Sequence, residues 1–164
     1  MSEAPATLPR LDRIDRKILH ELMRDSTLSV AQLAEHVGLS QTPCWKRVQK
    51  LEAAGIITGR VALVAPEKIG LGLTVFVEIE AADHTPGWRE AFAEMVSDYP
   101  QIVETHRMAG EVDYLLKVIV PDMAAYDAFY LDLTHRLPCR NVTSKFSMER
   151  MKATTALPID TLST

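Results

Sequence analysis

The spacing of the apolar residues changes part-way along this chain, and that change constrains the fold more than any other feature. Up to Ile57 they recur every three or four residues, the period of a helix that buries one face. After "APEKIGLG" they alternate in "LTVFVEIEA", the period of a strand. A chain of 164 residues holds one ordinary domain or two small ones. Charge divides the same way: residues 1–60 carry nine Lys and Arg against seven Asp and Glu, and the remainder carries nine against fifteen. Two modules with different partners produce such an asymmetry.

In the first module, "LDRIDRKILHELMRD" sets Leu11, Ile14, Ile18, Leu19 and Leu22 at helical spacing, with Asp12 as cap and Asp15 in the first turn. "SVAQLAEHVG" places Ser29 and Gln32 in capping-box spacing ahead of the stripe Val30, Leu33, Ala34 and Val37. Gly38 can take the left-handed conformation that ends this helix. Leu39, apolar inside the turn "GLS", is expected to plug the core, and a third helix follows. Two short helices joined by a tight turn containing glycine are the helix-turn-helix signature.

The third helix carries Lys46, Arg47 and Lys50 with no acid beside them. At about 100° per residue, Cys44, Leu51 and Gly55 fall within about 60° of Val48, and Trp45 lies at the edge of that arc. Lys46 and Lys50 point the other way, flanked by Thr42, Gln49 and Arg47. A major groove admits one helix and takes cations for its phosphates, with amides or hydroxyls for base edges. Ser40, Gln41, Thr42, Lys46, Arg47 and Lys50 supply that mix, so they are the candidate DNA-binding residues. Pro43 suits a first helical turn. Cys44 and Trp45 are expected to pack toward the core. Ile56 and Ile57, then Val61, Leu63 and Val64 around "TG", read as the two short strands of a wing, where Arg60 could meet a phosphate.

The second module reads strand, helix, strand, strand, helix, strand. Its helices are "PGWREAFAEMVSDYP", with Trp88, Phe92, Met95, Val96 and Tyr99 on one face, and "PDMAAYDAFYLDLTHRL", capped by Asp122. The later strands are "IVETHRM", "DYLLKVIV" and "NVTSKFSMERM". This βαββαβ order is the ferredoxin-like arrangement, and the fold class is α+β. With both helices on one side, the sheet's other face, carrying Phe76 and Ile119, calls for a second subunit. A dimer also suits paired helix-turn-helix units reading two half-sites.

No apolar run approaches the roughly 20 residues of a membrane helix. "MSEAPATLPR" lacks the apolar core of a secretory signal and reads as a flexible arm. Cys44 and Cys139 lack metal-ligand spacing and are expected to stay reduced, in the cytoplasm. The five histidines form no metal-binding run. An enzyme on the ferredoxin-like sheet would have to use His106, Glu104 and Asp113, with His135 further on. No nucleophile, metal-ligand cluster or phosphate loop accompanies them, so no catalytic residue, metal or cofactor is assigned.

"LDRIDRKIL", "LAEHVGLSQTPCWKRVQKLEAAGII", "IGLG" and "MAGEVDYLLKV", in that order, resemble the leucine-responsive and asparagine-operon regulators, the Lrp/AsnC or feast/famine family. The resemblance runs from about Leu11 to Ile159. It implies an arm at 1–10, a winged helix-turn-helix DNA-binding domain at 11–64, a linker at 65–72, a ligand-sensing and oligomerisation domain at 73–155 and a tail at 156–164. It implies a cytoplasmic, nucleoid-associated transcriptional regulator of double-stranded DNA. The homodimers would assemble to tetramers or octamers, with a small amino acid bound between neighbouring sensing domains. The family's effector region falls on Met108, Ala109, Gly110, Glu111 and Asp113, joined by Thr143 and Ser144 on the fourth strand. There Gly110 would let backbone approach and Asp113 would accept from the ammonium. Arg60 stands where the family usually has an aromatic residue. The same resemblance allows an architectural DNA-compacting protein without an effector.

Overall fold

Capping, more than helix propensity, sets where the first elements begin. In the computed structural model, which describes residues 10–159, helix α1 (Arg13–Arg24) starts at Asp12, whose carboxylate accepts from the amides of Ile14 and Asp15. Asp15 returns the bond to the Asp12 amide and closes a capping box. Helix α2 (Val30–Val37) repeats the device with Ser29 and Gln32, and it ends on Gly38 at φ 74°. Helix α3 (Gln41–Ala53) begins after Ser40 with Pro43 in its first turn, where a missing amide costs no hydrogen bond. Ile18, Leu33, Val37, Cys44, Val48 and Leu51 form the core of this unit, with Leu39 packed against it from the turn.

One expectation for this unit is corrected. The segment after α3 forms no paired strands: Ile56 and Ile57 fold back on the core, their amides bonded to the Leu51 carbonyl, while Val61, Leu63 and Val64 are exposed. A lone two-stranded hairpin with no sheet to join is marginal in water, which accounts for the unpaired backbone. At the other end of the chain, the compact N-terminal unit, which runs to Ala62, takes the chain back from Lys152. The Thr155 hydroxyl donates to the Met23 carbonyl at 2.9 Å, and Ile159, only 8% exposed, joins the helical core. The expected arm, apart from Arg10, and the last residues of the tail lie outside the described residues.

The second unit, Leu63–Met151, follows a one-turn 3₁₀ helix at Pro66–Ile69 with four strands and two helices. They run β1 (Leu73–Ala81), α4 (Pro86–Asp98), β2 (Ile102–Arg107), β3 (Tyr114–Val120), α5 (Met123–Arg136) and β4 (Cys139–Phe146). The sheet order is β2-β3-β1-β4, antiparallel throughout, as the βαββαβ pattern requires. Val75, Val77 and Ile79 of β1 and Leu116, Val118 and Val120 of β3 are buried with Trp88, Phe92, Tyr126 and Phe129. β4 ends at Phe146, earlier than its alternation suggested, and Met148 and Met151 are exposed. On the open face Phe76, Leu115 and Ile119 are half-buried among the ion pairs Lys145–Glu78 and Lys117–Glu104.

Candidate nucleic-acid interface and effector site

On α3 the sequence proposes a row of equivalent cations, and the structure divides them. Lys46 and Lys50 are exposed and meet no acid among the described residues. Ser40, Gln41 and Thr42 are exposed at the N-terminal end of the same helix. Arg47 turns sideways: its Nη1 donates to Asp12 Oδ2 at 2.6 Å and Asp15 Oδ1 at 2.7 Å. Asp15 is the one charged residue buried among those described. The pair holds the guanidinium in its charged form, while the Asp15 amide and then Arg47 lower the Asp12 pKa. Arg47 therefore ties α3 to the start of α1. Arg60 is engaged too, donating from Nη2 to Glu52 Oε1 at 2.9 Å. Of the cations expected to meet phosphate, Lys46 and Lys50 have no acidic partner among the described residues.

Two further residues belong to this face beyond those the sequence assigned to DNA. Gln49 is exposed and donates to Glu52 Oε2 at 2.8 Å. Trp45, expected on the core side, is half exposed. The helical period puts it at the boundary, and only packing could decide which way the indole leans. Cys44 is buried and free, and burial pushes its thiol pKa up, which makes it unreactive.

In the second unit the turn 108–113 is welded to the sheet by Asp113. Its backbone N–H donates to the Ile79 carbonyl at 3.0 Å, and its carbonyl accepts from the Met108 amide at 2.8 Å. Its Oδ2 accepts from the Ala81 amide at 2.8 Å. Among the described residues Oδ1 has His84 as its charged neighbour, at 3.8 Å. Gly110 takes φ 140°, a conformation that side chains disfavour. Met108, Ala109, Gly110 and Glu111 are exposed, and the amides of Ala109, Gly110 and Glu111 donate to no acceptor among the described residues.

The other two expected effector residues do not share one face. Thr143 opposes Glu78 and lies with Asn141 on the open side of the sheet, whereas Ser144 opposes Val77 on the helix side. Neighbouring residues of a strand point to opposite faces, so one chain cannot turn both side chains into one pocket. Ser144 Oγ instead hydrogen-bonds the Tyr126 hydroxyl at 2.5 Å. It lines a groove of about 450 Å³ with Met123, Tyr126, Asp127, Tyr130 and Phe146.

Comparison with known proteins matches both units. Residues 11–58 fit the family model for winged helix-turn-helix DNA-binding domains, and residues 74–157 fit that of the Lrp/AsnC ligand binding domain. The chain belongs to the Lrp/AsnC family. It is similar to the DNA-binding transcriptional activator DecR of Escherichia coli, 52% identical over 92% of this chain and 99% of that one. An AsnC family transcriptional regulator from Agrobacterium tumefaciens superposes with a TM-score of 0.88 at 55% identity, covering 92% of this chain and 98% of the other. A transcriptional regulator from Neisseria meningitidis, solved as a complex with L-methionine, superposes at 0.89 with 36% identity and the same coverage. As a member of the Lrp/AsnC family the chain is a DNA-binding transcriptional regulator. The relatives are regulators and not enzymes, and the His106–Glu104 pair at 3.5 Å is an exposed contact beside Lys117. Among the described residues no helix is long and apolar enough to cross a membrane.

Proposed function

We propose that this regulator binds double-stranded DNA through the outward face of α3 and that a small amino acid tunes that binding. The observation that carries the DNA reading is the division of cations on α3. Lys46 and Lys50 meet no acid among the described residues and stand beside the hydroxyls and amide of Ser40, Thr42 and Gln41, where phosphate contacts and base-edge contacts can be made together. Arg47 and Arg60 support that face from their ion pairs.

For the effector we favour the turn 108–113. The unbonded amides of Ala109, Gly110 and Glu111 suit an α-carboxylate, and Asp113 Oδ1 suits an α-ammonium. The L-methionine complex of the Neisseria meningitidis regulator supports an amino acid as ligand class. The turn is exposed on a single chain, so closing it over a ligand requires a neighbouring subunit. Thr143, on the open face of the sheet, belongs with that shared wall, and Ser144 does not. The half-buried Phe76, Leu115 and Ile119 favour pairing of two sheets into a dimer that assembles further to tetramers or octamers.

Fluorescence anisotropy of a labelled duplex from the promoter beside its own gene, titrated with and without each amino acid, tests the reading. A thermal-shift screen of the same compounds runs in parallel. One or a few amino acids should raise the melting temperature and change the DNA affinity. If none does either, the effector site is refuted, and DNA binding without response favours the architectural role.

A further inference from the structure

The two tryptophans of the described chain are treated differently by the fold. Trp88 is 6% exposed, stacks on Phe92 with ring centroids 5.2 Å apart, and donates its indole N–H to the Pro138 carbonyl at 2.8 Å. Trp45 is 50% exposed, joins neither core cluster, contacts no other ring and donates to no acceptor among the described residues. An indole is a large apolar surface with one polar handle, and it normally finds a partner for both. Trp45 leaves both open, one residue from Lys46.

Its direction on α3 follows from the helical period. At about 100° per residue Trp45 lies about 60° from Val48, the centre of the buried stripe, and about 100° from Lys46. Thr42, three residues before it, and Gln49, four after it, are its neighbours along the helix surface. Lys46 and Lys50 occupy the far side of the same exposed face. The face thus has a cationic edge suited to phosphate, a polar middle suited to base edges, and an aromatic edge that carries no charge.

Resting on the groove-facing reading of α3, we propose that Trp45 is a specificity-determining residue whose indole reads thymine. The thymine methyl is the apolar group that a base pair presents in the major groove, and an apolar side chain of the reading helix is its natural counterpart. Seating the indole there buries the surface that water now covers and favours sites with thymine at that step over sites with any other base.

The test uses the full-length protein and a labelled duplex carrying a site chosen by selection from random DNA. Each thymine is replaced in turn by deoxyuridine, which removes the methyl and nothing else. For the wild type, at least one replacement should weaken binding about five- to tenfold, the range of a modest base contact. In Trp45→Gln the same replacement should leave affinity unchanged, with the urea midpoint at the wild-type value. Trp45→Phe, which keeps an apolar ring, should retain part of the discrimination. If no methyl removal affects the wild type, or if Trp45→Gln discriminates as well as the wild type, the proposal is overturned. Lys46→Ala and Lys50→Ala separate the two readings. If they weaken binding while thymine replacement has no effect, only the role of Trp45 fails. If they too leave affinity unchanged, the groove-facing assignment of α3 fails with it.

Discussion

Replacing Arg47 by alanine separates a DNA-binding role from a structural tie, because the two roles predict opposite readouts. In the structure Arg47 is the cation that faces Asp15, whose side chain is 5% exposed. Removing one partner of a buried pair costs about 3–5 kcal/mol, since the remaining charge is left without water or counter-ion. Two features reduce this. The Arg47 side chain is itself 34% exposed, and Asp15 keeps a bond from the Asp12 amide. The second pair, to Asp12 with its side chain 52% exposed, contributes less than about 1 kcal/mol. The destabilisation should be about 2–3 kcal/mol. Against a stability of roughly 0.05–0.15 kcal/mol per residue, that is a large share for a unit of this size. With a urea m-value of about 1–3 kcal/mol/M, the midpoint of the N-terminal unit should fall by about 0.7–3 M. The assay is urea unfolding at fixed protein concentration, paired with DNA affinity across a salt series. If Arg47 instead neutralised a phosphate in the groove, its removal would lower the slope of log K against log salt by about 0.9 and leave the midpoint in place. That second outcome would refute the assignment of Arg47 to the α1–α3 tie.

Lys46→Ala and Lys50→Ala should show the reverse pattern, each lowering the salt slope by about one without moving the urea midpoint. Ile159→Ala should destabilise the N-terminal unit by about 2 kcal/mol by removing buried apolar surface, and an unchanged midpoint would mean the tail does not pack there in solution. Asp113→Asn keeps an acceptor for the Ala81 amide and removes the charge. An amino acid that stabilises the wild type should bind the variant at least about tenfold more weakly by calorimetry, with folding intact; equal affinity would move the ammonium site elsewhere. Acid should loosen the N-terminal unit first at its carboxylates. His36 bonding lowers the Glu21 pKa, and the Asp15 amide and Arg47 lower that of Asp12. A lowered folded-state pKa contributes stability that is complete above the ordinary carboxyl range and is lost as pH falls through the lowered value. Glu21→Gln should flatten the acid limb of a stability profile, and an unaltered limb would count against the Glu21–His36 tie.

Short-range pattern carried most of the architecture. Asp12 with Asp15, Ser29 with Gln32, and Gly38 fix helix ends through bonds within a turn, and a sequence writes such bonds out at a spacing of three. The alternation of Leu73 to Ile79 names a strand and its buried face because the period of two is local. The same period separates Thr143 from Ser144, which the family resemblance would place in one pocket. What adjacent residues cannot specify is the partner of a long side chain. Arg47 and Lys46 are neighbours of like charge, yet one is tied to Asp12 and Asp15, more than thirty residues away, and the other meets no acid among the described residues. The same holds for Arg60 on Glu52, for Ile159 in the helical core, and for the outward lean of Trp45. Only packing brings those acids and surfaces within reach, so the tertiary structure alone decided which cations of α3 are tied to an acid and which, among the described residues, are not.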